Sequence, residues 1–325
     1  MKSSHTNPLA TTIAGLIVLT TLPTHADSFS TGPNGFTIDF VNIGNTGNTN
    51  DVGTSGNFQT NFGGVSYNYR MGATEITQEA ITKSTNSGLT SVTAGDWIGA
   101  GQPATSVTWF EAASFVNWLN TSTGHQAAYD LTGVTAITPW SNALAWQAGG
   151  ENLYRHKAAY YFLPSENEWY KSAFHQNNGV TNSYWDYATA SEVAPTPASG
   201  GTAPFTAVFT APVLSGPAAV DNNGGLSSYG TRGQDGNIRE WLESAFDGTN
   251  NSSSEDRAFR GGGWASPVHE LHSAARGNNS PTTSTNTMGF RVASIVPEPS
   301  SAALLIGTAS LLIFKRRRVT APAFL

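Results

Sequence analysis

Two short stretches carry side chains able to hold a metal. In GNIREW, residues 236–241, Asn237 and Glu240 would supply side-chain oxygens, and Gly236 and Ile238 main-chain carbonyls. That is the donor type of a hard cation such as calcium, which takes about six to eight oxygens. The same residues also suit a tight turn, with Asn237 in the left-handed region and Glu240 in a salt bridge. In HELH, His269 and His272 flank Glu270. On a helix the two imidazoles would share a face and could hold a metal, whereas on a strand they would point oppositely. Spacing supplies no third ligand.

HELH sits inside RAFRGGGWASPVHELHSAARG, residues 257–277. Glycine loses more backbone freedom on folding than any other residue, so packing must fix this run of three. The chain has no cysteine, which rules out disulfides, thiol catalysis and thiolate–metal sites. Ser and Asp are plentiful enough for a Ser–His–Asp arrangement, but no nucleophile-elbow pattern supports one.

The elements around these stretches are short. FTIDFVNIG and VSYNYRMGATEIT alternate like strands, the second with Val65, Tyr67 and Tyr69 on one face. TQEAITKSTN opens a short helix. In TSVTWFEAASFVNWLNTSTG, Trp109, Ala112, Ala113, Val116 and Leu119 recur at helical spacing, with Ser106 or Thr108 as cap and Gly124 as stop. In YYFLPSENEWYKSAFH a strand ends at Pro164, and Ser165 with Glu168 makes a capping box for a helix. Trp169 and Ala173 then face the core, and Glu166 or Glu168 can meet an arginine. Residues 186–228 show no sustained period and read as a long surface loop. RAFRGGGW and MGFRVAS read as closing strands, with Trp264 packed between strands and Arg260 and Arg291 as buried, paired cations. Few helices among many short strands make an irregular α+β pattern, and 9 Trp, 10 Tyr and 16 Phe can fill its core.

Both ends read as processing segments. An apolar run over residues 9–22 and the sequence THAD suggest a secretory signal peptide over residues 1–26. At the other end VPEP leads into an apolar stretch at about residues 300–314 and then KRRR, a cluster that would stay cytoplasmic. This tail, residues 296–325, resembles the PEP-CTERM sorting signal of Gram-negative bacteria. The resemblance implies export, transient anchoring in the inner membrane and cleavage near Pro-Glu-Pro by an exosortase. Residues 27–295 remain as one domain. Between Asp27 and Pro299 stand 11 basic and 22 acidic residues, a net charge of −11, which argues against nucleic acid as a partner.

Within that domain VTWFEAASFVNWLN, FLPSENEWYKSAF, GNIREW, RGGGW and GFRV follow one another in order. Together they resemble the formylglycine-generating enzyme (sulfatase-modifying factor) family, over nearly the whole mature chain. The resemblance implies a one-domain, irregular α+β variant of the C-type lectin fold. Some members hold calcium in the segment matching GNIREW, so Gly236, Asn237, Ile238 and Glu240 become the expected calcium ligands. The family's other calcium site uses an Asn before the long loop, where this chain has TAVF, residues 206–209, and is not carried over. Phe162 stands where the family often has Arg, so one ion pair is expected to be missing. Active members bind copper through cysteines after the Gly-Gly segment. This chain has none, so no copper is expected.

The expected function is therefore that of an exported, non-catalytic relative, a binding module at the cell surface or in exopolysaccharide, taking a peptide or polysaccharide ligand. Trp140, Trp146 and Trp185 would stack on sugar or pack in the core. The alternative is an enzyme with replaced chemistry, a metal- or oxygen-dependent oxidase using His269 and His272.

Overall fold

The structure, a computed structural model, describes residues 24–55, 58–59, 61–93, 95–97, 99–211 and 216–296. Residues 1–23 of the expected leader (1–26) and residues 297–325 of the expected tail (296–325), with its apolar span, lie outside the described residues, while Thr24, His25 and Ala26 fall in a described strand. Among the described residues no helix is long and apolar enough to cross a membrane.

Three α-helices form where caps and apolar spacing coincide. Thr77 caps α1 (Gln78–Asn86), its hydroxyl accepting from the Ala80 amide at 3.0 Å. Thr108 and Glu111 form a capping box for α2 (Trp109–Ser122), and Ser165 and Glu168 form one for α3 (Glu166–Phe174). All five periodic positions of α2 are buried, and so are Phe110 and Phe115. This helix is therefore covered on more than one side.

Two larger sheets carry nine of the described strands, and the other eight form four two-stranded pairs. A five-stranded antiparallel sheet runs in the order Thr24–Phe29, Phe36–Ile43, Tyr69–Gly72, Ala293–Ile295, Tyr161–Phe162. Its pairings set Thr24 opposite Val41, and Tyr69 opposite both Ile43 and Ile295. The first and last described strands thus have their free ends at the same end of the sheet. Asp27 is fixed there by Arg70, at 3.0 and 2.5 Å, and by the Tyr161 hydroxyl at 2.8 Å. The second sheet has the order Gly277–Asn279, Arg257–Arg260, Arg239–Ala245, Met288–Gly289, with only the last pair parallel.

The core between them is aromatic. Trp109 donates its indole N–H to the Leu242 carbonyl at 2.9 Å, and Trp241 donates its own to the Val107 carbonyl at 3.0 Å. These reciprocal bonds tie the start of α2 to the strand Arg239–Ala245. Each buried indole thereby has the polar partner it needs.

Two sequence expectations are corrected. The pattern over residues 65–77 yields only the strand Tyr69–Gly72, because Tyr67 is drawn off to the Glu168 carboxylate at 2.7 Å. The segment 186–228 is not all surface loop. Ala188, Thr189, Ala207, Val208, Phe209 and Asn223 are buried, and Thr196–Pro197 pairs parallel with Thr206–Ala207. These contacts join residues distant in sequence, so no local period announces them.

Candidate functional site

The motifs meet as buried ion pairs. Glu166 at the start of α3 receives Arg260 at 2.8 Å and Arg276 at 2.8 and 2.7 Å. Arg260 also donates to the Ser273 and Ala275 carbonyls, both at 2.8 Å. It thus clamps the far side of the glycine-rich segment. Glu240 receives Arg291 through Nε at 2.6 Å and Nη2 at 2.7 Å, and the Trp169 indole at 2.7 Å.

Asn237 has φ of 59°, the left-handed turn conformation. Its Oδ1 accepts from the Ala218 amide at 2.8 Å, and its Nδ2 donates to Glu75 at 2.9 Å. Burial pushes the Glu75 carboxyl up to about 7 against the pull of Arg291. The calcium expectation meets a poor fit here. Arg291 and Trp169 already occupy the Glu240 carboxylate and the Ala218 amide occupies the Asn237 oxygen, so Gly236, Asn237, Ile238 and Glu240 do not form an open oxygen cage. The turn with a salt bridge, the other arrangement open to these residues, is the one present.

Arg155 escaped the motif reading. It joins Glu168, at 2.9 and 2.8 Å, to Glu243, at 2.9 and 2.6 Å, all three fully buried. Its guanidinium lies 3.7 Å from the centre of the Phe162 ring. The cation expected to be missing at Phe162 is supplied from the neighbouring strand Asn152–His156, stacked on the aromatic that stands in its place.

The stretch 257–277 forms the wall of a cleft of 790 Å³. Two glycines are required there. Gly262 has φ of 68°, and a Cβ on it would stand 2.8 Å from Leu271; a Cβ on Gly277 would stand 2.3 Å from the Phe259 ring. The Phe259 ring can line the cleft only because Gly277 has no side chain. Trp264 packs edge-on against Trp97 beside the segment.

Opposite charges pair off around the cleft. Arg239 meets Glu270 at 2.6 Å, and the Ser266 hydroxyl donates to the same carboxylate at 2.7 Å. Val268–Glu270 is a single 3-10 turn, followed by the buried Leu271. His269 is exposed, while His272 stands 3.6 Å from Asp186 and edge-on to Tyr187. Both histidines line the cleft. Among the described residues no group of three or more His, Cys, Asp or Glu side chains is placed to hold a metal ion.

Trp140, Trp146 and Trp185 are half-buried. Trp140 donates to the Ala128 carbonyl and Trp185 to the Ser228 hydroxyl, while Trp146 packs on Tyr67 and Phe162. All three pack on neighbours while staying partly exposed, and none lines the cleft.

Residues 35–296 match the model of the sulfatase-modifying factor enzyme 1-like domain, the FGE-sulfatase family. The chain belongs to this family. Solved structures with a similar fold include Treponema denticola variable protein 1, at 18% identity and a TM-score of 0.57, covering 83% of this chain and 99% of that one. CarF matches at 20% identity and 0.55, over 80% and 99% of the two chains. PvdO from Pseudomonas aeruginosa matches at 15% identity and 0.47, over 84% and 92%. At these identities the likeness is one of fold. No curated protein matches the sequence. The few helices, many short strands and irregular connections are those of the α+β, C-type-lectin-like fold of the formylglycine-generating enzyme type. In this member of the family the fold is built without a cysteine.

Proposed function

We propose that this chain is an exported, non-catalytic binding module of its family, taking a peptide or polysaccharide ligand in the cleft walled by residues 257–277. The supporting observation is the lining of that cleft, which is suited to contact. Tyr187 and Phe259 offer aromatic surface, and Val268 is exposed at the rim. The three cleft arginines are paired, Arg239 with Glu270 and both Arg260 and Arg276 with Glu166, which leaves one positive charge over. A cleft of this size with apolar walls and a few oriented polar groups is the ordinary form of a ligand site.

Export by the leader and an exosortase-processed tail, with transient residence in the inner membrane, would deliver the module to the cell surface or the surrounding exopolysaccharide. Binding of the domain 27–296 to a glycan array and a peptide library tests the reading. Val268→Asp, which sets a charge at the rim of the cleft, should abolish any binding found. Silence on both arrays, or binding indifferent to Val268→Asp, counts against it.

A further inference from the structure

The surplus cation of the cleft has a definite place. Arg260 and Arg276 share Glu166, which is buried and brings a single charge, while Arg239 has Glu270 to itself. Asp186 stands 3.6 Å from His272 and forms no ion pair with an arginine among the described residues. Between Asp27 and Pro299 the chain carries a net charge of −11, so a positive charge left over inside a cleft runs against the charge of the domain.

That charge reaches solvent at Arg276. Arg260 is buried, with its donors turned to Glu166 and to the Ser273 and Ala275 carbonyls. The Arg276 side chain is 24% exposed. It commits Nε and Nη2 to Glu166, at 2.8 and 2.7 Å, and Nη2 again to the Phe246 carbonyl at 2.9 Å. Its Nη1 has no hydrogen-bond partner among the described residues. The guanidinium is also held by rings, 4.0 Å from the centre of Phe246 and 5.0 Å from that of Phe62. A guanidinium fixed in this way, with one amino group open, is ready to meet a carboxylate without first being ordered. Gly277, the next residue, lies under the Phe259 ring, and Ala274, Ala275 and the exposed Val268 extend the apolar lining.

Resting on the reading of this cleft as a ligand site, we propose that its ligand is an acidic peptide, with a Glu or Asp carboxylate on Nη1 of Arg276 and an apolar neighbouring side chain on Phe259 and Val268. Charge complementarity selects the carboxylate, and the apolar lining selects the peptide. A sugar would set ring hydroxyls against phenylalanine, valine and alanine side chains that give them no hydrogen bond, and a desolvated hydroxyl without a partner is costly. A peptide brings apolar side chains of its own.

The test uses the full chain and a library of octapeptides in matched sets, each set differing only in a central Glu, Gln or Lys between varied apolar residues, with alginate, a polyuronate, alongside. Glu peptides should bind, Gln peptides about tenfold more weakly, and Lys peptides not at all. Arg276→Gln should bring Glu and Gln peptides to equal affinity, and Arg276→Lys, which keeps the charge, should retain a preference for Glu. Were Arg276 only structural, Arg276→Gln would weaken all peptides alike and leave the Glu-to-Gln ratio unchanged, which overturns the proposal. Equal binding of all three sets that Val268→Asp removes keeps the cleft as a ligand site and overturns the acidic class. Capture of alginate but of no peptide likewise overturns it in favour of a polysaccharide. Silence of peptides and alginate alike overturns both readings. Should Arg276→Gln fail to fold, the Glu-to-Gln ratio of the wild type decides.

Discussion

Glu240 and Arg291 form a two-pronged pair, 2.6 and 2.7 Å, with neither side chain exposed to solvent. It links GNIREW to GFRV and, through the Trp169 indole, to PSENEW. Removing one partner strands the other charge in the core, at a cost of about 3–5 kcal/mol. Arg291→Met should therefore lower the Tm steeply. The double change with Glu240→Leu should recover much of the loss, as a double-mutant cycle measured by thermal or urea unfolding would show.

Arg257 should behave in the opposite way. It is fully buried, yet none of its guanidinium nitrogens has a hydrogen-bond partner. It lies 4.2 Å from the Trp109 ring centre and 3.8 Å from that of Tyr154, and burial pulls it down to about 10. An apolar replacement loses ring contacts but sheds a desolvated charge. Arg257→Met should shift stability by less than about 1 kcal/mol, or raise it. A loss as large as that of Arg291→Met would show that Arg257 has an acceptor.

Lys171, buried in α3 with its ammonium donating to the Asn45 carbonyl at 3.0 Å, is pulled by burial down to about 8. Its folded value lies below its unfolded one, so folding favours the neutral amine. Stability from this group is fully present above the unfolded value and is lost as pH falls through about 8. Between pH 7.5 and 8.5, below the range where the buried tyrosines begin to oppose it, the unfolding free energy should rise, by less than about 1 kcal/mol per unit. Lys171→Met should flatten that rise while leaving the domain more stable at pH 7. A wild-type profile that is flat or falling over this window would refute the assignment.

The exported form is expected to begin near Asp27 and end near Pro299. Such a cut removes Thr24, His25 and Ala26, which pair with Val41, Phe40 and Asp39, and leaves Asp27, held by Arg70 and Tyr161, as the first residue. Mass spectrometry of protein released from the cell surface should lack the KRRR peptide. Its recovery at full abundance would mean that the tail is retained.

What the sequence revealed was what local chemistry determines. Ser165 with Glu168 and the apolar face of α2 each act within a few residues, and each stands where its spacing placed it. The arginines of RGGGW and GFRV could be read as buried and paired because few other roles suit an arginine beside glycines in a strand. Their partners could not be chosen, since Glu166 and Arg260 stand 94 residues apart. Arg155 belongs to no motif and is placed only by the pairing of Asn152–His156 with Ala145–Trp146. The calcium reading of Glu240 failed to fit for the same reason. A carboxylate in a turn has the same local signature whether an ion or a distant arginine satisfies it.

Thr24 and Ile295 leave the five-stranded sheet at one end, with two strands between them. At about 4.8 Å per strand the two exits lie roughly 14 Å apart. The domain is thus nearly a ring. A linker of a few glycines and serines could close it, with new ends opened at the exposed turn around Gly248, where such cuts are best tolerated. The same geometry makes it a cassette. Spliced into a surface loop of a host protein, it would hold the host's backbone almost continuous while presenting its cleft to the solvent.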